Sequence, residues 1–162
     1  VITHKFLLDN LKLELGAGDR PTPGFIHNDA RPLPDIEIVC PVEEITAHVK
    51  GHADEIRATH LLEHFSWRDT VALLTEWREL VIPGGKVYIE VPNLTWQTNA
   101  HAGGHDDIEI VNLIFGDQDY EGNYHKAAFT ERLLRRRMEE AGLHTISVID
   151  IGMVLCGEGF RQ

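Results

Sequence analysis

The chain has 162 residues, 43% hydrophobic and 25% charged, a composition that excludes a fibre or a disordered segment and suits one domain with a substantial core. Fifteen lysines and arginines against twenty-six acids leave a formal charge of −11, which repels polyphosphate and argues against a nucleic-acid partner. No apolar run approaches the roughly 20 residues of a membrane helix, and two cysteines, Cys40 and Cys156, are too few and too widely spaced for a disulfide framework or a zinc finger. A cytoplasmic protein without a secretory leader or a membrane partner is therefore expected.

The first informative segment reads Leu11-Lys12-Leu13-Glu14-Leu15-Gly16-Ala17-Gly18-Asp19. Leu11, Leu13 and Leu15 alternate with the period of a strand, and Gly16 and Gly18 then permit a tight turn against which a ligand can lie. The next residues, Asp19-Arg20-Pro21-Thr22-Pro23-Gly24, are dense in turn formers and too few for a helix of normal length. Residues 25–29 read as a second strand ending in Asp29, and 36–39 as a third closed by Pro41. A helix is predicted over 42–49 and a fourth strand over 55–59, leading into Leu61-Leu62-Glu63-His64.

Residues 66–82 carry Val71, Leu74, Trp77 and Val81 at helical spacing, with Ser66 as cap and Pro83-Gly84-Gly85 as stop. Residues 86–91 then alternate as a strand ending at Pro92-Asn93. Residues 95–104 are expected to be loop, 106–115 a short helix, and 116–125 an irregular polar and aromatic loop. Thr130 caps a last helix that places Leu134, Met138 and Ala141 on one face and stops at Gly142, and Arg135-Arg136-Arg137 within it reads as a solvated face. Two strands, 145–151 and 153–156, join at Gly152. Strands alternating with helices imply a mostly parallel sheet closed by an antiparallel hairpin, with ligands beyond the carboxyl ends of the strands. The glycine turn, Asp29, Cys40, His60 and Pro92-Asn93 share that edge.

The order of these segments resembles the class I S-adenosylmethionine-dependent methyltransferases, in particular the short group associated with sugar or glycan modification. The resemblance rests on Leu13-Glu14-Leu15-Gly16-Ala17-Gly18, Gly24-Phe25-Ile26-His27-Asn28-Asp29, Asp54-Glu55-Ile56-Arg57-Ala58-Thr59-His60-Leu61-Leu62-Glu63-His64, Leu80-Val81-Ile82-Pro83-Gly84-Gly85, Ile89-Glu90-Val91-Pro92-Asn93 and the helix from Phe129-Thr130-Glu131 to Leu143. It implies an α/β fold over 1–162: a three-layer Rossmann-like sheet, mostly parallel, with an antiparallel C-terminal hairpin and no N-terminal cap helices. It also implies S-adenosylmethionine as cofactor and O-methylation of a sugar, glycan or other small-molecule hydroxyl.

On the same resemblance, Glu14, Gly16, Ala17 and Gly18 would shape the wall at the methionine end of the cofactor, and Asp29 would accept from the ribose hydroxyls, as an acceptor-only carboxylate suits a diol. Cys40, Pro41 and Val42 occupy the stretch where the family often offers an acid or amide to the adenine amino group. That residue is missing here, so either backbone groups near Pro41 and Val42 serve the adenine or cofactor affinity is reduced. His60 and Leu61 would line the pocket, His64 would face the methyl group as first candidate base, and His125 is the second. No metal site is expected. The uncapped cofactor edge makes a homodimer a further expectation.

Three other readings compete. His60-Leu61-Leu62-Glu63-His64 matches the H-x-x-E-H order of inverted zinc hydrolases but lacks a downstream glutamate ligand. A nicotinamide enzyme would want a third glycine where Pro21 stands, and a helix N-terminus for the pyrophosphate. A methyltransferase-like module that binds without catalysing shares every motif above.

Overall fold

The computed structural model describes residues 10–49, 53–120 and 122–162. The N-terminal segment on which the expectation about a leader rests lies outside them. Among the described residues seven strands form one sheet: β1 (Lys12–Leu15), β2 (Ile26–Asp29), β3 (Ile38–Val39), β4 (Ala53–Thr59), β5 (Val81–Pro92), β6 (His144–Asp150) and β7 (Val154–Phe160). They lie in the order β3-β2-β1-β4-β5-β7-β6. The first five run parallel, whereas β7 is antiparallel to both β5 and β6. The order reverses between β1 and β4, so the crevice at their carboxyl ends is where a ligand is expected in such a sheet.

The crossovers carry α1 (Thr46–Val49), α2 (Thr70–Leu80), α3 (Leu94–Ala102), α4 (Asp107–Phe115) and α5 (Glu131–Glu140). Leu73, Leu74, Trp77 and Leu80 of α2 are buried, as the spacing requires, and α5 buries Leu134 and Met138. These join Leu13, Leu15, Ile56, Val87, Ile89 and Phe129 in one continuous core. The arginine run on α5 is absorbed locally: Arg136 and Arg137 donate to Glu140 at 2.8 and 2.7 Å, and Arg135 donates to the Ile146 carbonyl at 2.8 Å. Among the described residues no helix is long and apolar enough to cross a membrane.

Four local expectations are corrected. The helix over 42–49 is a 3-10 turn, Val42–Glu44, followed by the single turn α1. Ser66 does not cap α2; its hydroxyl accepts from the Arg68 N–H, and the helix starts at Thr70. Pro83-Gly84-Gly85 is no strand boundary, because β5 begins at Val81 and the segment bulges between the pairs Ala53–Val81 and Glu55–Lys86. Residues 95–104 are not loop. Asn93, fully buried, accepts from the Thr95 and Trp96 N–H groups and opens α3, whose Gln97 donates to the Leu113 carbonyl of α4 at 2.8 Å. An N-cap and tertiary packing outweigh the weak helix propensity of Thr95, Thr98 and Asn99.

Candidate functional site

The turn after β1 is held from two sides. Gly16 and Gly18 take φ of +61° and +64°, a region open to glycine, and the Gly18 N–H donates to Asp29 Oδ2 at 2.9 Å. Glu14 turns to its own loop, accepting from the Thr22 N–H and hydroxyl, each at 2.6 Å. Asp29 is 6% exposed, and its Oδ1 accepts from the Arg31 N–H at 2.9 Å and Arg31 Nε at 3.1 Å. Burial pushes the Asp29 pKa up, yet the hydrogen bonds from Arg31 and Gly18 outweigh it and hold the carboxyl below its ordinary 3.8. Arg31 in turn lies 5.2 Å from the centroid of the Tyr120 ring.

The two histidines of the H-x-x-E-H segment do different things. His60 sits at φ +49° just past β4, with Nδ1 3.3 Å from Glu63 Oε1 and Nε2 3.4 Å from Glu90 Oε1. Both partners are carboxylates, and the bond to Glu63 together with the nearby Glu90 charge raises the His60 pKa despite burial. His64 is lowered instead, by burial first and by the neighbouring His125. Its Nδ1 donates to the Tyr124 carbonyl at 3.3 Å, which leaves Nε2 with a free lone pair. The two environments drive like groups apart: His60 is held between two carboxylates, while His64 is the candidate base or ligand.

Two cavities meet here. One, of about 390 Å³, is lined by Gly16, Asn28, Asp29, Arg31, Pro41, Val42, Glu43, His60, Leu61, His64, Tyr120 and Lys126. The other, of about 770 Å³, includes His60, Asp106, Asn112, Asp117 and His125. His60 belongs to both, and the His64 and His125 rings stand 5.0 Å apart, edge to face.

Of the residues expected from sequence, Gly16, Asp29, Pro41, Val42, His60, Leu61 and His64 line the first cavity and His125 the second. Glu14, Ala17, Gly18 and Cys40 are not among the lining residues. Glu14 and Gly18 brace the turn, the Ala17 N–H is held by the Asn28 carbonyl, and Cys40 is buried with its thiol 3.5 Å from Asn28 Nδ2. Asn28, Arg31, Glu43, Tyr120 and Lys126 are additions. Glu43 lies one residue beyond the stretch that lacks the family's acid, so a search widened by one position would have found it; Tyr120 and Lys126 arrive by tertiary folding alone.

No family model matches the chain, and no curated protein matches it. Solved structures do. A SAM-dependent methyltransferase from Archaeoglobus fulgidus superimposes with a TM-score of 0.65 at 13% identity, covering 96% of this chain and 88% of that one. An O-methyltransferase family protein from Burkholderia thailandensis gives 0.62 at 17% identity over 94% of this chain and 51% of that one. PigF with SAH gives 0.62 at 14% over 94% and 50%. The chain has the class I methyltransferase fold. It spans about half the length of the latter two structures.

In this methyltransferase fold the switch-point crevice is the glycine turn beside Asp29, and the groups there fit a nucleoside carrying a diol. Asp29 offers a carboxylate at the cavity wall, Asn28 also lines it and has a buried Oδ1 without a partner, and a Cβ at Gly16 would meet Leu61 Cδ1 at 2.7 Å. Gly16→Ala is therefore expected to cost about 1–2 kcal/mol in stability for a left-handed alanine, and to weaken cofactor binding as Leu61 swings into the cavity. Denaturant unfolding and calorimetric titration of the same variant check both parts.

Proposed function

We propose that the chain is an S-adenosylmethionine-dependent methyltransferase acting on a hydroxyl of a sugar, a glycan or another small molecule. The observation that carries this reading is the meeting of two cavities at His60: one holds the Asp29 carboxylate beside the glycine turn, and the other carries polar side chains and His125.

Asp29 would accept from the ribose hydroxyls, Gly16 and Leu61 would pack against the methionine end, and Glu43 with the backbone at Pro41 and Val42 would receive the adenine. S-adenosylmethionine supplies an activated methyl group when bound. The protein's part is to align the acceptor oxygen and to manage its proton. His64, with its pKa lowered by burial and Nδ1 turned to the Tyr124 carbonyl, is suited to take that proton at Nε2, whereas His60 has both nitrogens beside carboxylates. Asp106, Asn112 and Asp117 in the second cavity offer the hydrogen-bonding groups that a polyhydroxylated acceptor demands.

Calorimetric titration of cofactor-stripped protein with S-adenosylmethionine, with its demethylated product and with NAD tests the reading. Binding of the first two at micromolar strength without NAD binding is the expected result, followed by a screen of sugars for methyl acceptance. Absence of binding by either adenosyl compound overturns it.

A further inference from the structure

Glu63 is the most enclosed acid at this junction. Its side chain is 1% exposed; His60 reaches Oε1 at 3.3 Å, while Oε2 has no hydrogen-bond partner. A buried carboxylate oxygen left unmatched is costly, and an ion bound at Oε2 would match it where His60 serves only Oε1. Two imidazoles are at hand: one ligand atom each from Glu63, His64 and His125 lie within 4.8 Å of one another.

The three are tied together through the backbone. The Glu63 carbonyl accepts from the N–H groups of Lys126 and Ala127 at 2.7 and 3.1 Å, and the His125 N–H donates to the Phe115 carbonyl at 2.9 Å. His64 Nδ1 donates to the Tyr124 carbonyl and His60 Nδ1 lies 3.3 Å from Glu63 Oε1, so His64 Nε2 and Glu63 Oε2 are the atoms available to an ion. Such outer hydrogen bonds are what orient a ligating imidazole and a ligating carboxylate.

We propose that Glu63, His64 and His125 form a binding site for a divalent first-row transition-metal ion. Two imidazole nitrogens and one carboxylate oxygen favour zinc, cobalt, manganese or iron over magnesium and calcium, which prefer oxygen donors throughout. Donors about 2.0–2.2 Å from a tetrahedral ion stand about 3.3–3.6 Å apart, so a cluster whose ligand atoms lie within 4.8 Å of one another has to close by about an ångström around the ion. Three protein ligands leave coordination positions open.

This site differs from the H-x-x-E-H zinc arrangement weighed on sequence and from the expectation of no metal. His60 and His64 do not share a helical face: His60 has a left-handed backbone, only Leu62–His64 forms a 3-10 turn, and His125 supplies the second imidazole from the loop before α5. The geometry stands without the methyl-transfer reading; its use rests on that reading. With an ion bound, His64 is a ligand and not a base. Such an ion would supply Lewis-acid chemistry to an acceptor hydroxyl, and Glu63, His64 and His125 would be the residues that hold it.

The experiment is titration of the chelator-stripped protein with Co²⁺ and with Zn²⁺, followed by calorimetry and by the visible absorption of cobalt, in the absence of cofactor. About one ion per chain is expected, with affinity lowered about 100-fold or more in both Glu63→Gln and His125→Ala, beyond the usual cost of losing an outer-shell partner. His101→Ala, on the exposed end of α3, is expected to bind as the parent does. Circular dichroism and S-adenosylmethionine titration of each variant separate lost ligation from lost folding. Ion affinity unchanged in both site variants, or cofactor binding without any ion, overturns the metal site. Ion binding without cofactor binding keeps it and removes the methyl-transfer reading instead.

Discussion

Replacing Asp29 with alanine is expected to weaken S-adenosylmethionine binding about 100-fold or more, the largest single loss in the cofactor crevice. Hydrogen bonds to a charged acceptor contribute about 1.5–3 kcal/mol each, and a ribose diol brings two donors. The carboxylate is already in place before any ligand arrives, because Gly18 donates to Oδ2 and Arg31 to Oδ1. Asp29→Asn, which keeps the shape and loses the charge, is expected to fall between parent and alanine. Arg31→Ala is expected to change affinity by about threefold at most, since Arg31 both orients the carboxylate and competes for it. The sign of the pH dependence follows from the same contacts. Asp29 has its pKa below 3.8 in the folded protein, so the ion pair with Arg31 is fully present above 3.8 and is lost as pH falls through the lower folded value. Cofactor affinity should therefore hold from neutrality down to about pH 4 and fall only below it. Calorimetry across that range, with a melt of each sample, is the measurement; an Asp29→Ala affinity within threefold of the parent would remove Asp29 from the cofactor site.

The edge of the sheet was legible because local signals set it. Alternating leucines ending at Gly16, an acid at the end of β2 and an alternating run to Pro92 each depend on near neighbours, and they gave the parallel strands that the structure shows, though not their order. What escaped depends on distant ones. α3 hangs on Asn93, whose Nδ2 reaches the Gly152 carbonyl and whose Oδ1 caps a helix of indifferent propensity. Glu14 matches the family's pattern, yet Thr22 engages both of its oxygens, a contact with a loop whose course the sequence leaves open. The contrast between His60 and His64 was equally invisible, because their partners Glu90 and Tyr124 lie 30 and 60 residues away. His125 reached the candidate set only as one residue of a loop; the link to Glu63 is made by backbone bonds that no spacing encodes.

That link decides how to read the second large effect. His64→Ala is expected to lower methyl transfer by about 100-fold or more, the usual worth of a positioned proton acceptor, while cofactor affinity stays within about threefold. The measure is kcat for formation of the demethylated cofactor with an acceptor drawn from the sugar screen. His64 acting alone as a base predicts that Glu63→Gln, which cannot alter the His64–Tyr124 bond directly, leaves kcat within a few-fold of the parent. A metal held by Glu63, His64 and His125 predicts otherwise: the three single variants lose comparable activity, the His64→Ala/His125→Ala double is little worse than either, and a chelator reproduces the loss in the parent. Residues that work as one unit are non-additive in this way. The unpartnered Oε2 of the buried Glu63 favours the second pattern, because a bound ion would match an oxygen that the base reading leaves without a partner.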